Sequence, residues 1–432
     1  MNRERERVRE MHDDHGGWRR WGPYLADRAW GTVREDYSAD GNAWRYLTYD
    51  KARAKAYRWG EDGIAGICDR YQILCFAPTF WNEVDPHLKE RFYGVDPTEG
   101  NHGEDVKEYY FHVDNTPSHA YMALLYKYPQ RAFPYAELVR GNRARNGQGP
   151  EYELIDTGIF DDDCYFDIEI EYAKASQSDL AIRITAHNRG PDAAPLHVLP
   201  TLWFRNTWAW GAWPLPEPTI TVTDDRFALV ADDSDVPRDP NVPNTSKLGP
   251  RYLYGERTPV LFTNNETNGE RAFGSGHLSR SPYTKDAFHR YLCEGEAALR
   301  PDRRGTKAAL HYRHVVPAHG SVTVRLRFTD AKLAAPLADV DAIMALRKAE
   351  ADVFYDELAP AGATADEKLV QRRALAGLLW TKQSYLFDVA RWLDGDNPDH
   401  PPPASRRDGR NAHWRHLNSM RVLSMPDKWE YP

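Results

Sequence analysis

The period of the hydrophobic pattern changes near residue 339, and no other feature of the sequence constrains the fold as strongly. Between about 150 and 330, apolar and polar residues alternate in short segments, which is the pattern of strands with one buried face. In residues 166–172 the apolar positions share one face, and they are Ile168, Ile170 and Tyr172. The acidic residues between them predict that the opposite face is solvated.

The same alternation recurs at residues 182–187 and 322–328, whereas residues 196–204 form a continuous apolar run. A run of this kind is typical of a strand that is covered on both faces. No helical period separates these segments. The sequence therefore predicts an antiparallel β-sandwich, preceded in residues 1–150 by short strands and long loops.

Helical spacing begins at residue 339, where the apolar positions are Val340, Ile343, Met344 and Leu346. A Pro/Gly break at 360–362 is followed by the capping-box pattern of Thr364 and Glu367. We expect a second helix from there to about Leu393, ending at Gly395, with a length of about 43 Å. Residues 374–380 are apolar on nearly all sides, which favours a position inside a helical assembly.

Charge and leader patterns exclude several classes of function. The net charge of −8 provides no basis for binding nucleic acid or an anionic membrane. No run reaches 18 apolar residues, and the charged N-terminus lacks a signal sequence, so we expect a cytoplasmic protein. Without secretion, the sequons at Asn244 and Asn265 are expected to be chance matches.

Cysteine and histidine patterns indicate neither disulfides nor a metal centre. The chain has four cysteines, Cys68, Cys75, Cys164 and Cys293. No two of them form a C-x-x-C pair, and we expect all four to be reduced. In two places, two histidines stand three residues apart: His311 with His314, and His413 with His416. Neither pair has an acidic or thiol partner at ligand-like spacing. We therefore predict no metal and no cofactor.

Aromatic residues make up 12% of the chain, with 14 Trp and 24 Tyr. Flat rings with a polar tip suit stacking on the C–H faces of sugars, although most of these rings can equally fill the core of a sandwich. Both interpretations remain open for any single tryptophan.

Several longer phrases carry a resemblance to a known family. They are the segments 21–25 (WGPYL), 30–38 (WGTVREDYS), 57–63 (YRWGEDG), 99–110 (EGNHGEDVKEYY), 199–208 (LPTLWFRNTW), 379–383 (LWTKQ) and 425–432 (MPDKWEYP). Together they resemble bacterial members of glycoside hydrolase family 63, the mannosyl-oligosaccharide glucosidase family. The resemblance extends from about residue 18 to residue 432.

This resemblance implies a mainly β fold, an antiparallel super-β-sandwich followed by the first helices of an incomplete (α/α)6 toroid. The implied divisions are 1–335 for the sandwich, 336–363 for a linker helix and 364–432 for the start of the catalytic toroid. The family hydrolyses α-glucosidic bonds with inversion, using an Asp as general acid and a Glu as general base. Both are expected beyond Pro432, so we interpret the C-terminus as a cut and expect this chain alone to be inactive.

Candidate substrate-binding residues also follow from the resemblance. Tyr431 matches an aromatic position that lines the sugar pocket, and Trp429 is its neighbour. Glu104 and Asp105 lie in a loop that either reaches toward the cleft or caps backbone amides of a turn. The other acidic candidates are Asp161–Asp163, expected to be a solvated turn, and Glu430.

Two other functions are considered beside an inverting α-glucosidase acting on α-linked oligosaccharides. The first is a non-catalytic carbohydrate-binding or docking module. The second is a trehalase-like or debranching enzyme, which the sandwich phrases disfavour. The apolar segment 374–380 favours the glucosidase, because it would be an aggregation hazard on the surface of a free module.

Overall fold

In a computed structural model of the protein, the described residues are 2–13, 17–28, 32, 35–102, 105–145, 147, 149–210, 215–224, 227–237, 247–395, 401–409, 412–424 and 430–431. The helices are α1 (Arg3–Asp13), α2 (Ala43–Tyr46), α3 (Tyr49–Ala54), α4 (Tyr135–Arg145), α5 (Gly269–Phe273), α6 (Ala287–Cys293), α7 (Val340–Leu358), α8 (Ala365–Trp380) and α9 (Val389–Asp394).

The strands of the first half are β1 (Trp21–Gly22), β2 (Ile67–Asp69), β3 (Leu74–Trp81), β4 (Gly94–Val95), β5 (Asp105–Val106), β6 (Tyr109–Asn115), β7 (Tyr121–Pro129), β8 (Tyr165–Ser176), β9 (Asp179–Asn188) and β10 (Ala194–Phe204). Those of the second half are β11 (Thr219–Thr223), β12 (Ala228–Asp232), β13 (Arg251–Tyr254), β14 (Val260–Thr263), β15 (Arg304–Gly305), β16 (Lys307–Leu310), β17 (Tyr312–Val316), β18 (Ser321–Thr329), β19 (Lys382–Asp388), β20 (Asn418–Ser424) and β21 (Glu430–Tyr431).

Two large antiparallel sheets dominate the architecture. One has the order β1-β2-β3-β10-β16-β14, with β17 also paired to β10, and the other has the order β15-β11-β12-β13-β18-β9-β8-β7-β6. The predicted apolar run lies in β10, which is central in its sheet and buried at nearly every position. The mainly antiparallel β fold is thus confirmed.

The two large sheets share one hydrophobic core. Phe76 and Leu202 contribute from the first sheet, while Ile168, Ile182 and Leu326 contribute from the second. All five side chains are almost completely removed from water. Burial of this kind, at about 25 cal/mol per Å² of apolar surface, is the main stabilising contribution to a fold of packed sheets.

The outer face of β8 differs from the prediction. The apolar side chains Ile168, Ile170 and Tyr172 point into the core, as expected. The opposite face is only partly solvated, because Glu169 is exposed whereas Asp167 and Glu171 are buried and α7 packs against part of β8. Glu171 accepts a hydrogen bond from the Tyr121 hydroxyl at 2.7 Å. The acidic face is therefore partly occupied by ion pairs and by a helix, which alternation within one strand does not reveal.

The predicted long helix after residue 364 is wrong in its second half. Its beginning is confirmed, since Thr364 and Glu367 form the capping box of α8. The helix ends at Trp380, however, and is followed by strand β19, which pairs with β20, and by α9. The Ser384 amide donates to the Tyr24 carbonyl at 2.8 Å, so contacts distant in sequence hold this segment extended.

Helix α8 is buried on one side only. Ala376 and Trp380 belong to the shared core of the sheets, whereas Val370 and Leu378 are 62% and 63% exposed. The Trp380 ring stacks on His112 of β6 with a centroid separation of 5.6 Å. The outward side of α8 therefore presents apolar side chains to solvent.

None of the described helices combines the length and the apolar character required to cross a bilayer.

Candidate functional site

A cleft of about 550 Å³ opens at one end of the seven-stranded sheet. Its walls come from loops that follow α3, β10 and β14, together with α5. The side chains that matter for its chemistry are Lys55, Asn206, Trp210, Glu266, Phe273 and Arg280. Two aromatic rings and several hydrogen-bonding groups therefore face one open volume, which is the usual composition of a small-molecule site.

A buried ion pair fixes the floor of this cleft. Lys55 Nζ donates to Glu35 Oε2 at 2.6 Å, and both side chains are nearly inaccessible to solvent. The other oxygen of Glu35 accepts the backbone N–H groups of Arg58 at 2.7 Å and Trp59 at 2.9 Å. Two of the family-like phrases, 30–38 and 57–63, thus meet at one carboxylate.

The wall of the cleft is held by Glu266 and its neighbours. The Trp208 indole N–H donates to Glu266 Oε1 at 2.7 Å, and Arg280 Nε lies 4.0 Å from the same carboxylate. Burial raises the pKa of Glu266, against the opposing effects of the Trp208 hydrogen bond and the Arg280 charge. The Trp210 indole N–H donates to the Asn206 carbonyl at 2.6 Å, which orients the ring along the cleft.

A buried polar network lies directly beneath this wall. Asn265 Nδ2 donates to Glu61 Oε1 at 2.9 Å, and the Asn206 amide donates to the Asn265 carbonyl at 2.8 Å. Burial raises the pKa of Glu61 to about 7 and lowers the pKa of Lys285 to about 8. Asn265 is completely buried, and Asn244 lies outside the described residues.

Asp105 is not part of this cleft. It lies in β5, and its carboxylate accepts a hydrogen bond from Lys107 Nζ at 2.7 Å. Glu151 and Glu153 accept from the same ammonium at 2.9 and 2.8 Å. Asp105 thus belongs to a salt-bridge cluster, and its role at the cleft of a toroid stays a prediction.

The oxygens of these three carboxylates lie within 4.8 Å of one another, close enough to ligate a cation. The side chain of Lys107 is completely buried among them. Burial alone would lower the pKa of this lysine, but the hydrogen bonds to Asp105 and Glu153 raise it. The ammonium therefore occupies the position that a metal ion would take, and the cluster is an internal salt bridge.

The other predicted site residues are only partly described. Glu104 and Trp429 lie outside the described residues, and so does the side chain of Tyr431, whose backbone pairs with Leu423 in β21. The run Asp161–Asp163 is an exposed turn of 3-10 helix, as predicted.

The histidine and cysteine predictions have clearer outcomes. His311 Nε2 lies 2.7 Å from His197 Nδ1, so it pairs with a residue distant in sequence and not with His314. His413 and His416 are exposed. All the cysteines are free thiols, as expected.

Sequence reasoning missed the residues that line the cleft. Asn206 lies in the family-like phrase 199–208, which was a usable signal. Glu266 and Arg280 lie in no such phrase, and Lys55 carries no pattern that distinguishes it from a surface lysine. These side chains meet only because separate loops converge at one end of a sheet.

Comparison with known proteins provides a relative but no established function. No family profile matches the sequence. An uncharacterized protein of Saccharomyces cerevisiae is 41% identical over 475 aligned positions, which cover 99% of this chain and 43% of the relative. The chain therefore spans less than half of the length of the curated relative it matches.

Proposed function

We propose that this chain is the sugar-binding β-platform of a glycoside hydrolase of the family 63 type, acting on α-linked oligosaccharides. The main support for this proposal is the cleft beside Trp210. It offers a flat ring for sugar C–H faces, a carboxyl group at Glu266 that accepts from hydroxyls, and a guanidinium at Arg280 that donates to them. An uncharged sugar ring with several hydroxyls can interact with all three of these groups.

The hydrolytic step in this proposal belongs to an (α/α)6 toroid and not to the sandwich. Support comes from the apolar outer side of α8, where Val370 and Leu378 are largely exposed. Exposed apolar side chains of this kind favour contact with a further protein surface. More than half of the yeast relative lies outside the matched region, which leaves room in that protein for such a domain.

The carboxylates around the cleft are poorly suited to inverting hydrolysis. That reaction requires a protonated acid and a separate base that activates water. Glu266 and Glu217 both interact with the single guanidinium of Arg280, at 4.0 and 3.4 Å. We therefore expect this chain to bind sugar without cleaving it.

Activity assays test the absence of hydrolysis directly. The 432-residue chain is expected to release no glucose from maltose, maltotriose or aryl α-glucosides above the buffer rate. Turnover that disappears in Glu266→Gln would place the catalytic carboxyl in the cleft. Turnover that disappears in Glu104→Gln or Asp105→Asn would place it in the 99–110 segment. Either result would contradict the proposal that this chain binds sugar and that a separate toroid hydrolyses it.

Measurements of sugar binding test whether the cleft beside Trp210 is the binding site. Trp210→Ala is expected to weaken the binding of maltopentaose at least tenfold, because the stacking surface is removed while the backbone around it is unchanged. Isothermal titration calorimetry measures this effect. Phe111→Ala is the matched control, since Phe111 is a 40% exposed aromatic on β6 that does not line the cleft. Equal losses in both variants would show that the cleft has no special role.

A further inference from the structure

A second cavity lies next to the cleft beside Trp210. This cavity has a volume of about 400 Å³, and Phe273 and His277 line both volumes. Its other walls include Tyr37 and Tyr46. We call the two cavities together the two-lobed groove, with an inner lobe at Trp210 and an outer lobe at Tyr46.

Aromatic rings line both lobes, and one ammonium lies between them. Lys55 Nζ is 5.8 Å from the centroid of the Trp210 ring and 5.2 Å from that of the Tyr37 ring. The Tyr37 and Tyr46 rings are 6.1 Å apart. Lys55 thus lies within cation–π distance of a ring in each lobe, and the Glu35 carboxylate fixes its position.

The position of Tyr37 is also fixed by hydrogen bonding. Its hydroxyl accepts the indole N–H of Trp59 at 2.7 Å, so the ring cannot rotate away without breaking that bond. A rigid ring in each lobe lowers the entropic cost of binding a chain that touches both. A chain of several sugar residues offers more C–H faces to these rings than a single hexose does.

We propose that the two-lobed groove binds one α-linked gluco-oligosaccharide, with successive sugar residues on either side of Lys55. Trp210 holds the residues of the inner lobe, and Tyr46 with Tyr37 holds those of the outer lobe. This inference rests on the proposed sugar-binding function and adds the length of the ligand. It requires affinity to increase with chain length until both lobes are filled.

Calorimetric titration of the full chain with glucose, maltose, maltotriose and maltopentaose tests this requirement. We expect the dissociation constant to fall at least tenfold between glucose and maltotriose, with a further fall to maltopentaose. Tyr46→Leu, which keeps apolar volume against the neighbouring core, is expected to remove most of the gain from maltose to maltopentaose. The melting temperature of this variant is measured alongside, because Tyr46 packs against a hydrophobic cluster.

The control is Tyr291→Leu, because Tyr291 is a 42% exposed ring on α6 outside both lobes. Equal affinity for glucose and maltopentaose would overturn the two-lobed inference while leaving the sugar-binding proposal intact. The two-lobed inference would also fail if the affinity of both Tyr46→Leu and Tyr291→Leu increased with sugar chain length as much as that of the unchanged protein. Failure of all four sugars to bind would overturn both proposals together.

Discussion

Replacing Lys55 with methionine is expected to lower the free energy of unfolding by about 3 kcal/mol at pH 7 and to abolish oligosaccharide binding. The substitution leaves the Glu35 carboxylate buried without its cation, and breaking a buried pair from one side typically costs about 3–5 kcal/mol. We choose the lower end because two backbone N–H groups still bond to Glu35. Urea denaturation measures the loss.

Two further variants make this prediction specific. Lys368→Met removes an exposed pair with Asp356 at 3.3 Å, and its effect should stay within about 0.5 kcal/mol. The double variant Lys55→Met with Glu35→Gln should lose less stability than the sum of the two single losses, since each single change strands the other partner. The role of the Lys55–Glu35 pair would be contradicted if the losses of stability were additive in the double variant. Unchanged stability of the Lys55→Met protein would contradict it as well.

The second large effect concerns Lys107. Lys107→Met is expected to lower the free energy of unfolding by about 2 kcal/mol at pH 7, because three carboxylates within 2.9 Å of its ammonium lose their shared cation. Asp105 and Glu153 are 37% and 38% exposed, so water replaces part of that interaction. The wild-type melting temperature, by contrast, should not respond to EDTA or to added Ca²⁺, since the ammonium already occupies the site.

The Lys107 effect should depend on pH in a defined direction. Burial alone would raise the pKa of Glu151, but the hydrogen bond from Lys107 and that from the His102 amide lower it below the ordinary value of 4.5. The contribution of this pair is therefore fully present above pH 4.5 and is lost as the pH falls through the folded-state pKa. The raised pKa of Lys107 extends the contribution upward to alkaline pH.

Denaturation of both proteins between pH 7 and pH 3 tests this sign. The stability difference between wild type and Lys107→Met should be largest near neutral pH and should shrink below pH 4.5. A difference that stays constant over this range would show that Lys107 stabilises the fold through packing and not through charge.

Local patterns predicted the elements whose shape depends on nearby residues. Alternation identified the segments that became β8, β9 and β18, and the capping box located the first residue of α8. The same approach missed helices α1 and α4 in the first 150 residues. The side chains of Arg7 in α1 and Glu350 in α7 pair with each other, so α1 is stabilised by a partner more than 300 positions away.

The segment after Trp380 shows where local reasoning fails. Residues 382–388 follow a strong helix without a proline or glycine, so the sequence favoured a continued helix. In the folded protein, Tyr385 and Phe387 pack with Trp59 and Val422 in a small core, and Leu386 donates to the Trp59 carbonyl. Contacts made across the fold override the propensity of a short segment.

The mainly β character and the change to helix near residue 339 could be predicted from the sequence, because each depends on neighbours within a few positions. Which side chains form a site depends on how the folded chain brings distant loops together. Glu35 meets Lys55, Trp208 meets Glu266, and Lys107 meets Glu151 through loops that the sheets bring to common edges. Such pairings depend on distances in space, which residue spacing along one chain does not encode.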